Sequence, residues 1–200
     1  MMQSQNIILT GSIGTGKSYA SKVLKRLGYK SWDADLVTHQ LISPNGKAFH
    51  KVIMHFPESL KDGFINRQIL GKIVFNDPVK LKLLESIIHP LVAEDRDHFI
   101  KWAHINHQKI VLEIPLYFET KMKLEDFTLV VTSAPIFIQK MRVMRRKGMT
   151  EDKFQCILKR QMPDIEKCKK ADFVIHTGLS YGETKRQITL MIKRLSQKHA

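Results

Sequence analysis

Gly11-Ser12-Ile13-Gly14-Thr15-Gly16-Lys17-Ser18 is the stretch on which the fold turns. It satisfies G-x-x-x-x-G-K-[ST] without a mismatch, and average residue usage produces such a match at roughly one in 30,000 positions. Its flanks agree with it. Asn6-Ile7-Ile8-Leu9-Thr10 enters as a short apolar run that reads as a buried strand. Ala20, Val23, Leu24 and Leu27 follow as a helical stripe stopped by Gly28. Strand, glycine-rich turn and helix in that order form an anion cradle. Glycines let the chain curl until N–H groups point inward, and the helix N-terminus adds partial positive charge. Lys17 can then reach the outer phosphates of a nucleotide, and the Ser18 hydroxyl can bind Mg²⁺.

Outward from this loop the pattern alternates. Tyr29 to Trp32, Lys109 to Ile114, Phe127 to Thr132 and Phe173 to Ile175 read as further strands. Ile136 to Arg146 reads as helix up to Gly148. Thr150 can cap another helix running to about Met162, and Ser180 with Glu183 forms a capping box for the last one. Strands alternating with helices imply an α/β fold with a parallel sheet. Residues 36 to 107 read as mostly helical and too long for a simple crossover, so they are expected to form an inserted subdomain. Asn76-Asp77-Pro78 looks like a helix start within it, and Pro90 is expected to kink or break the helix that carries His89.

Composition narrows the function. The chain has 200 residues, 43% of them apolar and 26% charged, which fits one globular domain with an insertion and excludes whole-chain disorder. No run of about 18 apolar residues occurs, so no membrane span is expected. Met1 to Asn6 lacks the cationic start of a secretory signal, and the expected location is the cytoplasm. The two cysteines, Cys156 and Cys168, read as reduced thiols. The remaining histidines, including His39, His50 and His55, show no metal-binding spacing. A formal charge of +14 attracts polyanions. Nucleic acid is disfavoured as the partner, because the chain shows no recognition motif and no aromatic-rich basic strand. Phosphorylated small molecules remain.

A triphosphate cradle does not name the acceptor. Asp33 and Asp35 follow the second strand, at the sheet end that faces ligands in open parallel sheets. Either carboxylate could take the proton of an attacking hydroxyl, and either could merely cap the next helix. Arg142, Arg145 and Arg146 fall on one face of a helix and could neutralise a transferred phosphoryl group, or form a solvated basic face.

Taken in order, these pieces resemble the dephospho-coenzyme A kinase family. The resemblance runs through Leu9 to Ser18, Asp33-Ala34-Asp35, Arg67 to Phe75 and Ile88-His89-Pro90-Leu91-Val92. It continues through Glu113-Ile114-Pro115-Leu116-Tyr117-Phe118-Glu119 and Arg142-x-x-x-Arg146 to Gln161, Lys167 and Ala171 to Ile175. It covers about residues 6 to 176. Tyr19, where Thr is common, and His176, where Asn or Asp is usual, depart from it, and Glu113 stands near where many such loops place a metal-linked Asp.

The resemblance implies a nucleoside-monophosphate-kinase-like parallel sheet flanked by helices, with a helical substrate domain and a helical lid over about residues 136 to 165. It implies transfer of the ATP γ-phosphate to the ribose 3′-hydroxyl of 3′-dephospho-coenzyme A, with Mg²⁺, by a monomer or weak homo-oligomer. Gly11, Gly14, Thr15, Gly16, Lys17, Ser18, Tyr19, Arg142 and Arg146 would bind ATP, with Ser18 on the metal. Asp33 would act as base, assisted by Lys17 and Arg142. Arg67, His89, Phe118 and Glu119 would hold the acceptor. The alternatives are another small-molecule or nucleoside monophosphate kinase of this fold, or a nucleic-acid-binding P-loop NTPase.

Overall fold

The computed structural model describes residues 5–75, 77–120 and 122–197. Met1 to Ser4 of the leader reading and Asn76 of the expected helix start lie outside them. The chain divides into two units, residues 1–32 with 107–200, and residues 33–106.

The first unit is built on a five-stranded sheet. Its strands are β1 (Ile7–Thr10), β2 (Lys30–Asp33), β5 (Ile110–Glu113), β6 (Thr128–Ser133) and β7 (Phe173–His176), with β3 (Leu60–Lys61) and β4 (Phe64–Ile65) lying in the other unit. Their order is β2-β5-β1-β6-β7. β1 runs parallel to β5 and β6, and β6 runs parallel to β7. Leu9 sits opposite Glu113 on one side and Val130 on the other. β1 is therefore central, and the chain reverses its direction across the sheet beside it. That is where ligands bind in open parallel sheets, outside the carboxyl ends of the strands.

The four residues of β1 are all buried. Ile7 and Leu9 join Val111, Val130 and Ile175 in the core with Ala20, Val23 and Leu24 of α1 (Lys17–Arg26). Ile188, Met191 and Leu195 of α9 (Tyr181–Gln197) complete that core. α1 ends as expected: Gly28 follows the cap, and Tyr29 N donates to Leu24 O in the wrap that closes a helix C-terminus. The segment read as a lid contains α6 (Ile136–Met144) and α7 (Glu151–Arg160), and α8 (Asp164–Lys170) begins at its end. Thr150 caps α7 through a bond from Lys153 N. Ser180 accepts from Glu183 N, but the Glu183 carboxylate turns to Arg186 and Gln187, so only half of the expected capping box forms.

The second unit holds α2 (Ala34–Leu41), α3 (Phe49–His55), α4 (Arg67–Phe75) and α5 (Pro78–Ile105). It is mostly helical, as expected, with one addition and one correction. It contains a hairpin, β3 (Leu60–Lys61) and β4 (Phe64–Ile65), paired antiparallel across Asp62-Gly63. Asp62 and Gly63 have φ of 51° and 79°, the left-handed pair that a two-residue hairpin loop requires, and Gly63 adopts it without steric cost. Pro90 does not break its helix. α5 runs through it for 28 residues. A proline costs the one bond its missing N–H would make and crowds the preceding turn, and burial of Ile87, Ile88 and Ala103 along α5 outweighs that local penalty. Asp77 caps α5, accepting from Val79 N and Lys80 N, with Pro78 in its first turn.

Candidate active site

The loop between β1 and α1 is held from four directions. Thr15 Oγ1 donates to Ser12 O at 2.7 Å and meets Thr132 Oγ1 of β6 at 3.0 Å. Thr177 Oγ1, just past β7, donates to Thr15 O at 2.6 Å. Arg142 of α6 donates through Nη1 to Gly14 O (3.2 Å) and through Nη2 to Thr177 O (2.6 Å). Gln161, following α7, accepts from Ile13 N at 3.0 Å. A Cβ on Gly14 would sit 2.7 Å from the Gln139 carbonyl oxygen of α6, so no larger residue lets that helix brace the loop. Gly16 caps α1 with φ of 85°. The cradle is thus pre-shaped before any anion arrives, which is the arrangement that costs least when one binds.

Lys17 stands in the first turn of α1, its Nζ 3.4 Å from Glu113 Oε2 at the end of β5. Glu113 is buried, accepts a hydrogen bond from Ser21 Oγ, and lies 3.6 Å from Lys25 Nζ. A carboxylate in that position holds the loop lysine at the base of the cradle. The Ser18 hydroxyl is exposed and carries no hydrogen bond among the described residues. It is a hard oxygen donor beside a phosphate seat. Mg²⁺ is bound by few protein oxygens and keeps waters and phosphate oxygens for the rest, so this donor fits it. Among the described residues no cluster of three His, Cys, Asp or Glu side chains offers a dedicated metal cage. Tyr19 packs on Tyr181, ring centroids 4.5 Å apart, and donates its hydroxyl to Tyr181 O.

Several expected residues stand differently. α6 stops at Met144, so Arg145 is its cap and Arg146 lies in the turn beyond. Arg142, Arg145 and Arg146 therefore do not share a helix face: Arg142 is tied to the loop, and the other two are exposed. Glu119 faces inward. Its Oε1 accepts from Met162 N at 2.8 Å and lies 2.9 Å from Nζ of the fully buried Lys167. That ion contact lacks hydrogen-bond alignment, and both Lys167 Nζ and Glu119 Oε2 are buried without a hydrogen-bond partner among the described residues. Phe118 is half-buried, edge-on to Tyr117.

In the second unit, Asp33 caps α2, its Oδ1 accepting from Asp35 N (2.9 Å) and Leu36 N (3.2 Å). The capping role read as one alternative is therefore real, yet it occupies one oxygen only. Arg67 opens α4, is exposed, and contacts the His39 ring. His89 lies mid-helix in α5 and is exposed, so it is not the helix-end hydrogen bonder that a break at Pro90 would have made it.

A family model described as dephospho-CoA kinase matches residues 6–181. The chain belongs to the dephospho-CoA kinase family. A dephospho-CoA kinase of Novosphingobium aromaticivorans is 40% identical over 96% of this chain and 94% of its own. One of Bartonella quintana is 44% identical over 94% and 96%. The solved dephospho-CoA kinase of Campylobacter jejuni superposes with a TM-score of 0.73 at 29% identity, over 98% of this chain and 99% of that one. Membership makes the chain an ATP-using transferase of the P-loop kinase fold, as the loop and the sheet order had indicated. Among the described residues, no helix is long and apolar enough to cross a membrane.

Sequence reading missed Thr132, Thr177, Ser21 and Lys25. Each acts across a gap of many residues or from inside a helix face, and none belongs to a local motif. Gln161 and Lys167 entered only through the resemblance.

Proposed function

We propose that the chain transfers the γ-phosphate of ATP to the ribose 3′-hydroxyl of 3′-dephospho-coenzyme A. The observation that carries this is the pre-shaped cradle with Lys17 held at its base by Glu113. Backbone N–H groups of the loop and the start of α1 take the phosphate oxygens, with Gly11, Gly14, Thr15 and Gly16 allowing the close approach. Lys17 moves its charge onto the outer phosphates. Ser18 would hold Mg²⁺, whose part is to neutralise phosphate charge. Arg142 keeps a fixed positive charge against Gly14, and Arg146 brings a second from its exposed turn. Tyr19 flanks the first turn of α1 on the nucleotide side.

Asp33 accepts the proton of the 3′-hydroxyl through Oδ2, while Oδ1 stays on the α2 amides and fixes the carboxylate plane. Asp35, inside α2, is not assigned that part. Arg67 pairs with the diphosphate of the acceptor, His89 adds a polar contact, and Phe118 offers an apolar edge. Glu119 serves by anchoring Met162 and Lys167.

A coupled assay of ADP release across dephospho-coenzyme A, AMP and RNA tests the reading. ADP formed with dephospho-coenzyme A alone is the expected result. Turnover on AMP would make the chain a nucleoside monophosphate kinase, and turnover only with RNA would make it a nucleic-acid-dependent NTPase.

A further inference from the structure

Glu113 closes β5 opposite Leu9 of the central strand and is 3% exposed. Three side chains of α1 meet its carboxylate. Lys17 Nζ lies 3.4 Å from Oε2, Lys25 Nζ lies 3.6 Å from Oε1, and Ser21 Oγ donates to Oε1. Positions 17, 21 and 25 are four apart, so they follow one face of the helix. Along its axis Lys17 and Lys25 are about 12 Å apart. Their long stems bring both heads to the one acid.

Two cations on a buried carboxylate are one more than its charge requires. The second has a use once the first must leave. Phosphoryl transfer as proposed above takes Lys17 off Glu113 and onto the outer phosphates. A buried carboxylate stripped of its counter-charge is costly, and that cost would oppose the move. Lys25 sits in the last turn of α1, two turns farther from the loop, with its side chain half exposed. A lysine there also complements the helix dipole. The dipole does not require contact with Glu113, and no such contact is made by the neighbouring Arg26 among the described residues.

We infer that Lys25 is a positioning residue for the phosphate cradle: it stays on Glu113 when Lys17 moves to the nucleotide, and so releases Lys17 for that move. The inference rests on the reading of Lys17 as the phosphate ligand. Without Lys25, ATP must draw Lys17 away from an acid that has no other cation. The bound ground state and the transition state both need Lys17 on the phosphates, so the loss falls on ATP binding and not on kcat.

Calorimetry of Mg²⁺–ATP on the full chain, beside steady-state kinetics with dephospho-coenzyme A, tests this. Lys25→Met should weaken ATP binding about three- to fivefold, the upper range for a half-exposed ion pair. KM for ATP should rise by the same factor, with kcat and KM for dephospho-coenzyme A unchanged. Lys25→Arg should restore the parent values. Lys22→Met removes the same charge from an exposed position of α1 and should change nothing. In a Glu113→Gln background, Lys25→Met should have no further effect on ATP affinity, because no buried charge is left to hold Lys17. An equal loss in Lys22→Met, or a loss that persists with Glu113→Gln, would assign the effect to net charge and overturn the inference. So would unchanged ATP affinity in Lys25→Met while Lys17→Ala binds ATP weakly, a result that leaves the reading of Lys17 standing. The expected pattern of ATP affinities without turnover of dephospho-coenzyme A would uphold Lys25 and remove the proposed acceptor instead.

Discussion

The phosphate cradle and the 33–106 unit handle their polar groups in opposite ways. In the cradle nearly every named group is already engaged: Thr15 with Thr132, Thr177 with Thr15, Arg142 with Gly14, Gln161 with Ile13 and Lys17 with Glu113. In the 33–106 unit the candidates are exposed or half engaged. Asp33 uses one carboxylate oxygen, and Arg67 and His89 are open to solvent. A common triphosphate can be met by a rigid mould made largely of backbone. A particular acceptor must be recognised by side chains with free polar ends. Under the proposed function, nucleotide affinity belongs to the first region, and acceptor choice and proton removal to the second.

Lys17→Ala should break the comparison hardest. It removes the lysine charge at the base of the cradle and leaves the buried Glu113 with Lys25 and Ser21. Turnover should drop on the order of a thousandfold, with weaker ATP binding by calorimetry, since a single preorganised donor to the transition state is worth that much. Retained turnover would remove Lys17 from the phosphates.

The engagement of the first unit extends beneath the cradle to Lys167 and Glu119. Replacing one partner of a buried ion pair leaves the other charge stranded, at about 3–5 kcal/mol. Lys167→Met should therefore lower the denaturant midpoint sharply, and adding Glu119→Gln should recover much of the loss. A single variant as stable as the parent would show that the pair is not the anchor of the 161–162 segment.

Asp33→Asn probes the other side of the comparison. Asn caps helices as well as Asp does, so α2 should be intact. Turnover should fall at least about a hundredfold while ATP binding survives. Loss of ATP binding would show that the two regions do not divide the work as argued.

The two regions also differed in how far they could be read beforehand. The loop, the five strands and α1 follow from local patterns: the apolar run Ile7 to Leu9, the glycines, and the 3.6-residue spacing of Ala20, Val23, Leu24 and Leu27. The ties that hold the loop were not legible, because Thr132 and Thr177 look like ordinary strand-end residues until the sheet brings them together. In the 33–106 unit, each strand of the hairpin is two residues long, too short for any periodicity, and Asp62-Gly63 was its only signal. Pro90 was read from its local effect, and burial along α5 overrode that. Glu119 shows the same limit: its motif pointed at the acceptor, and its partners Met162 and Lys167 are more than forty residues away in sequence.

The smallest effect concerns the core under the cradle, where Tyr29 carries a titratable phenol. Tyr29 is 3% exposed and packs with Val23, Leu24 and Val111. Burial pushes its phenol up from 10.0 to about 12. The folded chain therefore holds this proton more tightly than the unfolded chain does. Its contribution to stability is complete below pH 10 and is lost as the pH rises through about 12. Tyr29→Phe keeps the ring and removes the proton, so the fall in stability between those two pH values should be shallower in the variant than in the parent. Denaturant midpoints at pH 8, 10 and 11.5 measure it. At pH 8 the two proteins should differ little, because Tyr29 is neutral in both folded and unfolded states there. Parallel alkaline slopes would place the source of the loss elsewhere, and would mean that water reaches this part of the first unit more freely than its packing implies.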